Sequence, residues 1–164
     1  MKPVPVSLRL PDGSAAAGLR ITIQSDFPAP PARVWELLQS PDTLRFICRP
    51  LMYFEPEGPQ PAQWVPGQAA AFRLRAYGIV PLGRHVIRLE RIDPQRAEIQ
   101  SREAGALMQV WDHLIALQPG PEGRTRYTDQ VDLYAGWLTR PIAWWASLFY
   151  RHRQRRWLRL LTRP

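Results

Sequence analysis

Apolar and polar positions alternate with a period of two over most of this chain, and the exceptions fall into helical spacing. Leu19, Ile21 and Ile23 alternate with Arg20, Thr22 and Gln24, which predicts a half-buried first strand. Pro28-Ala29-Pro30-Pro31 stops it. Residues 31–39 then read as a helix, with proline in its first turn and Val34, Trp35, Leu37 and Leu38 placed for burial. A second short helix begins at Ser40-Pro41-Asp42 and runs to about residue 47, burying Leu44, Phe46 and Ile47. Residues 51–54 predict a short strand, and a Pro/Gly-rich loop fills residues 55–67.

The remainder reads as strands up to residue 134. Ala70, Phe72, Leu74 and Ala76 face inward and leave Arg73 and Arg75 to solvent. His85, Ile87 and Leu89 alternate with Arg84, Arg88 and Glu90 in the next strand, and Gly78 and Gly83 bracket the turn between the two. Ala97, Ile99 and Ser101 share one face of a fifth strand. Trp111, His113, Ile115 and Leu117 do so in a sixth, and Tyr127, Asp129, Val131 and Leu133 in a seventh. Strands with one polar face predict an antiparallel sheet covered on one side. The cover is a helix over residues 136–162, about 39 Å long at the standard rise. Trp137, Pro141, Trp144, Trp145, Leu148 and Phe149 form the apolar face expected to meet the sheet. The expected fold class is therefore α+β: a curved antiparallel sheet of about seven strands, two short helices and a long C-terminal helix packed across it. Residues 1–17, with a turn signal at Asp12-Gly13, form an N-terminal extension that either adds a short strand or stays loose. Residues 18–164 form one domain.

Composition narrows the function classes. With 45% apolar and 22% charged residues, the 164-residue chain is globular and long enough for one core and a pocket. The net charge of +8 rests almost wholly on arginine, since Lys2 is the single lysine. No recognition motif accompanies that charge, so no nucleic-acid partner is expected. Cys48, the single cysteine, excludes an internal disulfide and a cysteine-based zinc cage. His85, His113 and His152 are the three histidines, and no spacing groups them as metal ligands, so neither a metal nor a cofactor is expected. The N-terminus lacks the apolar run of a signal peptide, and the longest apolar stretch, at residues 141–150, is too short to span a bilayer; a cytoplasmic location is expected.

The order of strand, two small helices, strands and long helix resembles the helix-grip arrangement of the START-like (SRPBCC) superfamily. Phe27-Pro28-Ala29-Pro30-Pro31-Ala32-Arg33-Val34-Trp35-Glu36-Leu37-Leu38 resembles that family's entry to its first helix. Trp111-Asp112-His113, Thr125 with Asp129, Tyr134 and Phe149-Tyr150-Arg151 resemble a bacterial polyketide cyclase/dehydrase-like, ligand-binding subgroup. The chain departs from it before the helix, where Ala135-Gly136-Trp137 replaces a Pro-x-Gly element. The resemblance implies an apolar ligand held between sheet and helix.

Candidate chemistry centres on His113 and Asp129. Pairing Leu117 with Thr125 across the turn places His113 opposite Asp129 on the inward face. Such a pair serves as a structural contact, a ligand anchor or a general base. No serine or cysteine stands beside it as a nucleophile. The expected ligand-binding set is Phe72, Leu74, His85, Ile87, Leu89, Trp111, His113, Tyr127, Asp129, Trp145 and Phe149. Three readings stay open: a non-catalytic binder of a hydrophobic small molecule or lipid, a cyclase/dehydrase-like enzyme using His113 and Asp129, and a membrane-associated lipid or quinone handler. In the last, Arg151, Arg155, Arg156 and Trp157 at the basic helix end touch the membrane surface. The same basic end could equally be solvated, complementing the helix dipole.

Overall fold

The computed structural model of the chain describes residues 2–162; residues 1, 163 and 164, at the ends of the expected extension and domain, lie outside them. Eight strands form one antiparallel sheet among the described residues: β1 (Val4–Arg9), β2 (Ala15–Phe27), β3 (Met52–Pro56), β4 (Ala69–Ala76), β5 (Val80–Asp93), β6 (Glu98–Gly105), β7 (Val110–Pro119) and β8 (Thr125–Tyr134). Their order across the sheet is β1-β2-β8-β7-β6-β5-β4-β3. Helices α1 (Pro31–Leu38) and α2 (Pro41–Cys48) connect β2 to β3, and α3 (Thr139–Leu161) packs over the inner face. No helix among the described residues is long and apolar enough to cross a membrane.

Local chemistry explains the element boundaries. Proline opens both short helices, where its missing N–H costs nothing, and the Ser40 hydroxyl caps α2 by accepting from the Asp42 amide. The eighth strand, beyond the seven expected, comes from residues 4–9. Asp12 accepts bonds from the amide and hydroxyl of Ser14, Gly13 takes φ +87°, and the chain reverses so that Val4 meets Arg20. Gly18 makes that hairpin possible: a Cβ there would stand 2.2 Å from Leu8 Cδ1 and 2.8 Å from the Leu133 carbonyl oxygen. The β4–β5 turn is tighter than expected. It spans Tyr77–Ile79, while Gly83 lies inside β5 opposite Leu74, at a bulge.

The outer face of the sheet is laced by arginine–carboxylate pairs. Arg20 holds Asp132 bidentately at 2.6 and 2.7 Å, and Arg102 meets Asp112 at 3.0 Å. Arg73 and Arg84 share Glu57, Arg88 is exposed and Arg75 half-buried, so these arginines face away from the core as the alternation predicts. Phe72, Ile87, Leu89, Trp111 and Phe149 belong to one buried cluster, with Leu74 and Trp145 packed against it.

Helix α3 departs most from expectation. It begins at Thr139 after a 3₁₀ turn, Gly136–Leu138, rather than at residue 136. Its buried side carries Ala143, Ala146, Ser147, Tyr150, Arg153, Gln154 and Trp157. Trp137, Trp144 and Leu148 are 88%, 67% and 43% exposed, and Pro141 is exposed with them. The expected face is thus rotated away from the sheet, and only Trp145 and Phe149, on its edge, remain in contact with the core. Small residues let the helix approach the sheet, and polar ones meet partners there, so bulk hydrophobicity misjudges its inward side.

The two halves of α3 are anchored unequally. Trp157 is fully buried against Phe27 and Tyr127, with ring centroids 5.7 Å away in each case. Gln154 donates to the Ile23 carbonyl at 2.9 Å, and its own carbonyl oxygen accepts from Ser25 at 2.6 Å. The Arg156 guanidinium lies 4.2 Å over the Phe46 ring, and His152 Nε2 bonds the Arg49 carbonyl at 2.9 Å. Residues 140–149 make no hydrogen bond to another element among the described residues.

Candidate functional site

The part of α3 that lacks such anchors lies over a cavity of about 420 Å³, bounded by the inner faces of β3 to β7 and by α2. Its walls are mainly apolar, with Leu38, Ile47, Phe54, Ile99 and Trp145 among them. Leu107, in the β6–β7 turn, and Pro141 border it while exposed to solvent, so the cavity opens beside that turn and the start of α3.

Polar groups gather farther along the helix. His85 on β5, Ser101 and Glu103 on β6, His113 on β7 and Arg153 on α3 all border the cavity. Glu103 is central: Oε2 lies 2.8 Å from His85 Nε2, and Oε1 accepts from the Ser101 hydroxyl at 3.1 Å. The same Oε1 lies 3.7 Å from His113 Nδ1, an ionic contact longer than a hydrogen bond. The other imidazole nitrogen, His113 Nε2, is 2.8 Å from Asp129 Oδ1. Asp129 also accepts from Gln154 Nε2 at 2.9 Å and, weakly, from the Tyr127 hydroxyl at 3.4 Å.

A carboxylate at each ring nitrogen sets the charge state of His113. Burial disfavours its cation, but Asp129 and Glu103 outweigh burial and raise its pKa above the ordinary 6.5. Burial likewise opposes ionisation of Glu103, yet the ionic contact with His113 and the bond to His85 hold it well below the usual carboxylate range. Asp129 is lowered against its burial by the Arg153 charge, His113 and Gln154. Burial pushes the Cys48 thiol up to about 12, which leaves it protonated and unreactive as a nucleophile. Among the described residues no group of three or more histidine, cysteine and acidic side chains could hold a metal ion.

A family model described as a domain of unknown function, DUF8410, matches residues 25–161. The chain belongs to the DUF8410 family. Every polar group of the cluster lies within that span. No curated protein sequence matches the chain. Among solved structures, the DUF8410 chain is similar to protein Ms6760 from Mycobacterium smegmatis, with TM-score 0.71 and 13% identity over 99% of each chain. It is similar to CalU16 from Micromonospora echinospora, with TM-score 0.57 and 17% identity over 94% of this chain and 92% of that one. Ginseng major latex-like protein 151 from Panax ginseng gives TM-score 0.67 and 11% identity, covering 88% and 97%. These likenesses establish a START-like (SRPBCC) helix-grip fold.

In this DUF8410 domain most of the expected site residues meet at the cavity. Leu74, Ile87, Leu89 and Trp111 line it from the sheet, Trp145 and Phe149 from the helix, and His85 and His113 from its polar end. Three do not reach its wall. Phe72 is buried in the core, edge-on to Phe54 at 5.5 Å; Tyr127 stacks on Phe27 at 4.8 Å; Asp129 sits behind His113 and Gln154. The expected register was also wrong. β7 and β8 pair through to Pro119 and Thr125, which sets His113 opposite Val131 and Asp129 opposite Ile115. His113 and Asp129 still share the inward face and bond diagonally. The basic helix end is corrected as well: Arg151 and Arg155 are exposed, but Arg156 is half-buried and Trp157 is inside the core, out of reach of any membrane surface.

Glu103 and Arg153 were absent from the expected set. Glu103 continues the parity of Ile99 and Ser101, and Arg153 stands three residues after Tyr150 on the inward side. Periodicity marked both positions; their charge argued against burial.

Proposed function

We propose that this protein binds a hydrophobic small molecule in the cavity between sheet and α3 without turning it over. The cavity itself carries this reading: its volume falls at the lower end of the range of about 300–1,000 Å³ typical of small-molecule sites, and apolar walls converge on one polar cluster. Contrary to expectation a serine does stand in the cluster, but the Ser101 hydroxyl donates to Glu103 and to neither imidazole, and the one cysteine is buried and protonated, so neither is an activated nucleophile. Asp129 and Glu103 at its two ring nitrogens favour the protonated form of His113, which makes it a poorer proton acceptor than a free imidazole.

A second reading is favoured by one observation, the position of His113 in the cavity wall beside Glu103 and His85. There the protonated form of His113, favoured by its carboxylate neighbours, could act as a general acid toward a ligand carbonyl. Native mass spectrometry of the purified protein, with analysis of extracted small molecules, separates these readings. A retained apolar compound recovered unchanged supports the binder; its conversion on incubation with fresh protein supports the enzyme. Failure of any apolar compound or Nile red to bind removes both.

A further inference from the structure

Arg153 poses a question that an apolar ligand does not answer. The residue is 5% exposed and borders the cavity. Its guanidinium makes no hydrogen bond and no ion pair among the described residues, and Nε is fully buried without an acceptor. The contacts it does make are to the faces of Tyr150 and Phe149, with the charge 4.7 and 5.9 Å from the ring centroids. Arginine cannot shed its proton in a protein, so a buried guanidinium stays charged and needs acceptors for its five N–H groups. The two carboxylates of the cluster are already engaged. Glu103 serves His85, Ser101 and His113, and Asp129 serves His113, Gln154 and Tyr127. A second buried nitrogen, His85 Nδ1, also lacks a partner.

From Pro141 at the open end to Arg153 is twelve residues of helix, a span of about 18 Å. We infer that the cavity takes an amphipathic carboxylic acid, its carboxylate received by Arg153 and its apolar body running along α3 to the opening. The inference rests on the binding reading above and specifies its ligand class. A carboxylate matches the planar fork of the guanidinium with two parallel bonds, and apolar walls accept only a ligand whose polarity is concentrated at one end. The aromatic contacts of Arg153 do not substitute for that partner, because they leave its in-plane N–H groups unsatisfied.

The test compares dodecanoic acid with 1-dodecanol, each displacing Nile red at pH 7.5. In the wild-type protein the acid should compete at least about tenfold more tightly than the alcohol, the scale of a charge-assisted pair. In Arg153→Met the acid-to-alcohol ratio should collapse toward one, and in Arg153→Lys, which keeps the charge but loses the fork, it should fall between. Equal competition by acid and alcohol in the wild type overturns the carboxylate inference and leaves the binding reading standing. The same holds for a ratio unchanged in Arg153→Met. If neither compound nor Nile red binds, the binding reading falls, and this inference with it. Should Arg153→Met fail to fold, the wild-type ratio and Arg153→Lys decide between these outcomes.

Discussion

Replacing Asp129 with alanine probes the buried pair behind the cavity wall. The carboxylate is 1% exposed and accepts from His113 at 2.8 Å, from Gln154 at 2.9 Å and from Tyr127 at 3.4 Å. Alanine removes two short bonds to an ionised carboxylate, each worth about 1.5–3 kcal/mol, and the longer Tyr127 contact. It also strands a buried imidazolium, and breaking a buried ion pair from one side costs about 3–5 kcal/mol. We expect a loss in that range, a large share of a domain stability of about 5–15 kcal/mol. The pair also dictates a pH profile. His113 is raised above its ordinary 6.5, so its contribution is complete below that pH and is lost as pH rises through the elevated folded value. Asp129 is lowered below its ordinary 3.8, so its contribution is complete above that pH and is lost as pH falls through the depressed folded value. The difference between wild type and Asp129→Ala should therefore be greatest between about pH 4 and pH 6.5 and shrink on both sides. Urea unfolding followed by circular dichroism at pH 5, 6 and 9 measures it. A deficit under about 1 kcal/mol at pH 6, or one that widens toward pH 9, would refute the pair as described.

Three further outcomes follow from the packing. Trp157→Ala should cost about 3–5 kcal/mol in a urea melt, whereas Trp144→Ala, on the exposed face of the same helix, should stay within about 0.5 kcal/mol; a reversed order would restore the helix face expected from sequence. Gly18→Ala should destabilise by about 1–3 kcal/mol, read as a lower Tm, because its Cβ overlaps Leu8 and the Leu133 carbonyl; an unchanged Tm would mean that β1 yields without cost. Cys48 should resist iodoacetamide at pH 8 in the native protein and react after unfolding in urea; rapid native labelling would contradict its burial.

The strands and both short helices were legible because period-two alternation and proline at a helix start are local signals. Register was less so. Whether His113 faces Asp129 or Val131 depends on the backbone of the turn, where Glu122 and Gly123 take φ +57° and +71° and let pairing run on to Pro119. The two alternatives differ by two residues and keep the same face inward, so the contact survived the error. The inward side of α3 was misread for another reason. Trp144 and, in the turn just before the helix, Trp137 point outward, while Ala143 and Ala146 lie against the core and Gln154 and Arg153 face the polar cluster. That choice belongs to the partners waiting on β2, β7 and β8, which no periodicity within the helix encodes. Glu103 escaped notice similarly, since only two histidines from neighbouring strands make its burial tolerable.

The uneven anchoring of α3 has a mechanical meaning. Hydrogen bonds and close aromatic stacking resist displacement in particular directions, whereas apolar contact is indifferent to small sliding or tilting. The chain places its directional bonds at Gln154, Arg156 and Trp157, at the closed end of the helix, and leaves residues 140–149 held to the sheet by greasy contact alone. Residues 140–149 can therefore tilt against the β6–β7 turn without breaking a hydrogen bond to another element, held between the Thr139 tie to Ala135 and the fixed C-terminal end. A guest entering beside Leu107 meets a wall pinned at both ends and held along its middle by apolar contact alone.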